Sequence, residues 1–326
     1  MFERFDEIYT NRHDYAREWK KRTGEKIIGY FCTYAPEEIM YAANILPVRI
    51  LGSHEAQSIS ITSPHIFAMY CPFCRDCLAQ GLQGKYDYLD GVMIAQSCLH
   101  MRGAFNSWRI HVPTSFTYYL PMPMKVQSPA AKPYLREELA LFKKSLEEWT
   151  GKPITDADLD RGIETVDKNR RLLRRVYEFR KKDTLALTGL EAMKTVISSQ
   201  MSDKSEHNNL LKEVLKGLPK RKLDRGAGVR LMTLGSENDD IPFLEMLESL
   251  NATVVIEDHC TGSRYFWNEV VPEDDRLSAI AARYTERIPC AVGKRRVGAD
   301  NLCNSHLQRS GEPAQTGLRF ISTPSG

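Results

Sequence analysis

The 326-residue chain carries 45 Lys and Arg against 42 Asp and Glu, a formal charge of +3 that is small for its length, with an ordinary apolar content of 42%. These values exclude a disulfide miniprotein and a disordered tail, and they leave room for two domains, each with its own buried core. Basic residues are interspersed with acidic ones along helical patterns instead of forming a stripe, so nucleic acid is not an expected partner, and no run of about eighteen apolar residues offers a membrane span.

Residues 1–22 read as a charged helix, with Arg17, Lys20, Lys21 and Arg22 where a secretory leader would carry an apolar stretch. A cytoplasmic location is expected, in which the eight cysteines stand mostly as free thiols or metal ligands. Residues 23–132 read as a first α/β domain. Lys26 to Cys32 is an apolar run of strand length, Pro36 to Asn44 a helix with Pro at its start, and Pro47 to Leu51 a second strand, which together make a βαβ unit. A helix-like stretch, Asp76 to Leu82, leads to a third strand at Leu89–Ala95. Cys98 then falls just past the carboxyl end of that strand, where open α/β sheets place their ligands.

Residues 133–225 change to helical periodicity. One face carries Leu135, Leu139, Phe142, Leu146 and Trp149, the next Leu159, Ile163, Val166, Leu173 and Val176, with Gly151 and Pro153 between them. The basic stretch from Lys212 to Arg225 reads as a linker. Residues 226–292 start a second α/β unit: strand at Val229–Leu234, turn at Gly235–Asp240, helix from Pro242 to Leu250 and strand at Thr253–Ile256. With only two clear strands this unit is incomplete, and residues 293–326, rich in Arg, Gly, Ser, Asn and Gln, carry no apolar period and read as an irregular tail.

The most specific chemical signal is Cys71-Pro-Phe-Cys74-Arg-Asp-Cys77, followed by Cys98. Three thiolates at two-residue gaps can converge on an iron–sulfur cluster, although the ferredoxin pattern would need a fourth Cys where Ala79-Gln80-Gly81 stands. The competing readings are a single ligand among buried thiols acting as small hydrophobes, and a zinc site, for which Cys98 with His100 would be irregular. His100, Arg102, His111 and His259 are candidate proton donors, against the ordinary structural role of a lone histidine. Arg264, after the turn Thr261-Gly-Ser263 beside Cys260, is a candidate anchor for an anion such as a phosphate or a carboxylate, the alternative being a surface pair with Glu257 or Glu269. Tyr118 and Tyr119 are expected to pack. No phosphate-binding loop occurs, and Gly226-Ala-Gly228 precedes its strand, so neither an ATP nor an NAD site is expected.

Tyr34-Ala-Pro-Glu-Glu-Ile-Met-Tyr-Ala-Ala-Asn-Ile-Leu-Pro-Val48, Tyr70–Cys77, Asp90-Gly-Val92, Ser97-Cys98 and Asp258-His-Cys-Thr-Gly-Ser-Arg264, in that order from about residue 20 to 292, resemble the 2-hydroxyacyl-CoA dehydratase and benzoyl-CoA reductase superfamily. The stretch Cys98-Leu-His-Met-Arg-Gly-Ala-Phe-Asn-Ser-Trp108 resembles the cluster-carrying reductase subunits more than the dehydratases. The resemblance implies two Rossmann-like parallel-sheet domains with added helices and a cluster of the 4Fe-4S type in the cleft between them. It implies Cys71 and Cys98 as the first two ligands. The third family ligand has no matching context here, since Cys303 lies in Leu-Cys-Asn, so the C-terminal part reads as truncated or altered. Two ligand sets follow: Cys71 and Cys98 with a thiol lost from this chain, or Cys71, Cys74 and Cys77 with Cys98 as an optional fourth.

The implied activity is low-potential electron transfer to an aromatic acyl-CoA, with a homologous cluster-carrying subunit and a separate ATP-hydrolysing activator as partners. A dehydratase acting through a ketyl radical, and a noncatalytic metal-binding scaffold, are the alternatives.

Overall fold

The computed structural model describes residues 1–55, 58–96, 98–181, 185–287 and 319–322. Ser97, Cys303 and most of the expected tail lie outside the described residues.

Helices α1 (Glu3–Thr10) and α2 (Arg12–Thr23) precede the first sheet, and Gly24 closes α2 in the left-handed conformation that a residue without a Cβ adopts readily. The sheet is built from β1 (Ile27–Tyr30), β2 (Leu46–Arg49), β3 (Gly91–Ala95) and β4 (Phe116–Leu120), with helix α3 (Glu37–Ala42) between β1 and β2, α4 (Pro72–Leu82) between β2 and β3, and α5 (Leu99–His111) between β3 and β4. All pairings are parallel and the order is β2-β1-β3-β4. Every residue of β1, β2 and β3 is buried, as a parallel sheet covered by helices on both faces requires. The order reverses between β1 and β3, which opens a crevice at the carboxyl ends. Strand β4 carries Tyr118 and Tyr119, and both pack on the first core as expected.

Helices α6 (Ala131–Thr150), α7 (Asp156–Glu178), α8 (Gly189–Met201) and α9 (Lys204–Gly217) follow. Thr155 and Thr188 start α7 and α8 with capping boxes closed by Asp158 and Glu191. Helix α9 covers part of the stretch expected as a linker, because Leu211, Val214, Leu215 and Leu218 recur at helical spacing among the lysines and are buried.

The second sheet holds β5 (Val229–Leu234) and β6 (Ala252–Asp258) with α10 (Ile241–Ser249) between them, followed by α11 (Ser263–Phe266) and α12 (Arg276–Glu286). A further strand, β7 (Arg319–Ser322), pairs parallel with β5 and gives the order β6-β5-β7. The fold is therefore α/β with parallel sheets. Among the described residues no helix is long and apolar enough to cross a membrane.

Helix α3 ties these parts together through two buried carboxylates. Glu38 pairs with Arg170 of α7 at 2.7 Å and accepts from Tyr284 of α12 at 2.9 Å, while Arg170 also holds Asp167 at 2.7 Å. Glu37 accepts from Tyr30 of β1 at 2.9 Å and from Tyr265 of α11 at 2.6 Å, and it faces the Lys204 ammonium at 3.4 Å. Burial alone would raise the Glu38 pKa, yet it is lowered, because Arg170 and Arg283 stand beside it. Gly162 lets α7 lie against α3 at this point, since a Cβ there would run into the Glu38 carbonyl.

The buried histidines set an acid limit on this core. His207 accepts from Asn169 at 2.9 Å and donates to Thr195 O at 3.1 Å, a neutral ring fully paired, and burial pushes its pKa down to about 3 from 6.5. Its folded pKa lies below the unfolded one, so between these values the unfolded chain binds the extra proton and stability falls as the pH falls. Each such histidine should lose about 1.4 kcal/mol per pH unit below its unfolded pKa. Urea midpoints measured from pH 7.5 to 5 should decline steadily below the ordinary histidine pKa, and a flat profile would count against a neutral buried His207.

Candidate metal centre and cleft

Cys71 and Cys98 are the N-cap residues of α4 and α5, the helices that follow β2 and β3. Two helix N-termini thus open onto one place at the carboxyl edge of the first sheet, and each brings the positive end of its peptide dipoles to negatively charged sulfur. The Cys71 N–H donates to His100 Nδ1 at 3.1 Å, which joins the loop before α4 to the first turn of α5. Cys74 Sγ donates to Cys71 O at 3.1 Å. Candidate ligand atoms of Cys71, Cys74 and His100 lie within 4.8 Å of one another, the only such group of three among the described residues. Cys77 and Cys98 are outside that trio, and a charge on either is close enough to act on Cys74.

The two nearest sulfurs differ in acidity. A hydrogen bond from the Cys74 thiol, helped by the Cys74 backbone N–H and by His100, holds Cys71 well below the usual thiol range despite partial burial. The same bond, with desolvation, pushes Cys74 well above it. Cys71 is therefore the sulfur ready to bind metal as a thiolate. Because His100 Nδ1 accepts from the backbone, the neutral ring carries its proton on Nε2 and offers an N–H, which suits a proton donor better than a ligand.

Cys77 does not join the trio. Since α4 begins at Pro72, residues 71 and 77 are separated by about 9 Å of helix rise and about 120° of rotation. Cys77 is fully buried and points its Sγ to Ile50 O at 3.7 Å, and desolvation pushes its thiol well above the ordinary range. The expectation that three sulfurs converge holds for an irregular loop and fails for a helix. Cys77→Ser should leave bound metal unchanged while Cys74→Ser lowers it, as measured by metal analysis of the purified variants; equal losses would restore Cys77 as a ligand.

Arg102 lies one turn into α5, its N–H donating to Cys98 O at 3.1 Å, and its half-buried side chain makes no ion pair or hydrogen bond among the described residues. Gly103 follows it because a Cβ there would strike the Tyr70 ring, which lies 4.9 Å from His100 between centroids. Phe67 and Met69 before Cys71 and Leu99 after Cys98 are 76%, 83% and 59% exposed, an apolar rim around the sulfur atoms.

The remaining candidates sit elsewhere. His111 ends α5, exposed, with its ring 4.3 Å from that of His65. His259, at the end of β6, is 1% exposed and lines a small cavity with Thr233, Asn238, Leu244 and Met193, none of them part of the cysteine site. Burial, with Arg264 nearby, lowers its pKa to about 4. Arg264 is buried and committed: Nε pairs with Asp258 at 3.0 Å, Nη2 donates to Asp258 O at 2.8 Å and Nη1 faces Cys260 Sγ at 3.8 Å. It forms neither of the surface pairs considered, because Glu257 is taken by Arg180 and Glu269 by Arg171 and Arg174.

Three contacts that sequence reading missed shape the cleft. Arg49, at the end of β2, forms a buried ion pair with Glu237 from the loop after β5, and His54 Nε2 meets Asp239 of the same loop at 2.9 Å. The Asp76 carboxylate of α4 accepts the Ser53 and His54 N–H groups at 2.8 Å each, and Gly52 has no Cβ because Asp76 occupies that space. The carboxyl ends of β2 and β5 therefore face each other, with the cysteine helix bracing the loop between them. The positive φ of His54, 62°, was the one local trace of this arrangement and is not readable from residue type.

A family model described as 2-hydroxyglutaryl-CoA dehydratase, D-component, matches residues 32–302. The chain belongs to this family. A benzoyl-CoA reductase subunit of Thauera aromatica is 24% identical over 82% of this chain and 70% of its own length. The (R)-phenyllactyl-CoA dehydratase beta subunit of Clostridium sporogenes is 25% identical over 88% and 76%, and the lactoyl-CoA dehydratase subunit beta of Anaerotignum propionicum 23% over 84% and 73%. The relatives are thus named as subunits of a reductase and of dehydratases alike, and the level of identity does not separate the two.

Proposed function

We propose that this chain is the iron–sulfur subunit of an ATP-dependent aromatic acyl-CoA reductase of the benzoyl-CoA type, acting in the cytoplasm. The observation that carries the reading is the pair of cysteine-capped helix N-termini opening onto one sheet edge, joined by the bond from the Cys71 N–H to His100. The donor set fits a cluster: one sulfur poised as thiolate, a second within 4.8 Å and a third on the adjacent helix. Such soft ligands favour iron–sulfur clusters, zinc or Cu(I) over hard cations.

Cys71, Cys98 and Cys74 are the proposed ligands, and the cluster, when bound, supplies one-electron transfer at low potential. The chain's own residues do the rest. His100 holds a proton on Nε2 at the edge of the site, and Arg102 places a cation with no counter-ion among the described residues one turn from Cys98. The substrate ring takes up two electrons and two protons to become a cyclic diene. The electrons come from a separate ATP-hydrolysing activator, and a homologous cluster-carrying subunit covers the apolar rim of Phe67, Met69 and Leu99, a grouping of exposed apolar side chains that suits an interface.

The dehydratase reading is favoured by the family description and by two of the three relatives above. Anaerobic turnover with activator, ATP and either a benzoyl-type or a 2-hydroxyacyl thioester separates them. Consumption of reductant in proportion to product is the expected result; turnover sustained by a catalytic trace of reductant would establish the dehydratase. A metal-bearing chain that turns over neither thioester would be a scaffold.

A further inference from the structure

We propose that in the metal-free chain Cys71 and Cys74 form a reversible disulfide, so that the same two sulfurs serve either the metal or an oxidised storage state. The proposal rests on thiol placement and does not depend on which metal or reaction the site serves.

The segment Cys71-Pro-Phe-Cys74 sets one cysteine at the N-cap of a helix of 11 residues and the other in its first turn, with Pro72 between them at the start. Their ligand atoms lie within 4.8 Å, and Cys74 Sγ already turns back to Cys71 O at 3.1 Å. The Cys71 backbone is extended, φ −58° and ψ 144°, so its side chain is not fixed along the helix face and can swing onto Cys74. The two sulfurs also differ in access. Cys71 is half-buried and Cys74 has no exposed surface, which gives the outer sulfur the role of entry and the inner one the role of resolution.

Cys77 is excluded because it faces Ile50 O on another side of α4. The oxidant is a small disulfide of the glutathione class. Cys71 Sγ attacks one of its sulfurs, the S–S bond breaks, and one thiol leaves with a proton. Cys74 Sγ then attacks Cys71 Sγ of the mixed disulfide and releases the second thiol. The chain loses two electrons and two protons, and the small disulfide becomes two thiols. Capture in this form keeps Cys71 from the irreversible sulfinic and sulfonic states.

Full-length, metal-free protein is treated anaerobically with oxidised glutathione, quenched in acid, alkylated and mapped by peptide mass. The expected result is a Cys71–Cys74 link, loss of two of the eight alkylatable cysteines, and loss of metal uptake until a dithiol is added. In Cys74→Ser the adduct should remain on Cys71 as a mixed disulfide with glutathione. A Cys71–Cys98 link, or wild-type protein in which Cys71 and Cys74 both stay alkylatable, would overturn the proposal. The thiol map is read without metal, so it fails or succeeds independently of the cluster assignment.

Discussion

Cys71→Ser is expected to abolish metal binding by this chain. Serine keeps the N-cap of α4, since its hydroxyl favours that position, so the helix and the fold should survive and the loss can be read as chemical. What disappears is the one sulfur that the Cys74 thiol, the Cys74 N–H and His100 hold in the thiolate state. Affinity should fall by more than the about 10–100-fold that follows from losing an outer-shell partner. Metal analysis after anaerobic reconstitution, with circular dichroism as the folding control, measures it. A folded Cys71→Ser protein that keeps its metal would remove Cys71 from the site. His100→Ala should show only the smaller loss, because its ring supports Cys71 through Nδ1.

The largest effect on stability is expected at Glu38→Ala. Removing this carboxylate leaves the buried Arg170 with Asp167 as its remaining partner and takes the nearest negative charge from the buried Arg283, while the Tyr284 hydroxyl keeps only its bond to Ala35 O. Breaking one side of a buried ion pair costs about 3–5 kcal/mol, a large fraction of the stability of a protein. Arg170→Met should lose less when combined with Glu38→Gln than the two single changes suggest, because the double variant leaves no uncompensated charge at the pair itself. Urea denaturation of the two single variants and the double variant tests this. Additive losses would mean that the pair is not coupled in the folded state.

These two sites show what the sequence disclosed and what it hid. Continuous apolar runs made β1 and β3 legible, since a strand covered on both faces needs no alternation. The Pro and Gly signals placed α3 and separated α6 from α7. The position of Cys98 just past β3 was legible for the same reason. Glu37 and Glu38 were hidden, because two acidic residues in the first turn after Pro36 look like an ordinary exposed helix start; only their distant partners, Arg170, Lys204, Tyr265 and Tyr284, make them core residues. The cysteine run misled through its period. Two-residue gaps converge in a loop and diverge on a helix, and the start of α4 at Pro72 decides between them. Arg264 and His259 looked like cleft residues, yet Asp258 holds one and the other is buried beside a small cavity, contacts made by folding that no local pattern announces.

Sulfur from the α4 and α5 N-caps is proposed to surround iron together with inorganic sulfide. X-ray absorption at the iron edge of the anaerobically reconstituted full chain, with iron and acid-labile sulfide assayed on the same sample, addresses it directly. Sulfur ligation with iron–iron scattering, sulfide in proportion to iron, and loss of both signals in Cys98→Ser are expected. Zinc in place of iron, or iron held without sulfide, would contradict it.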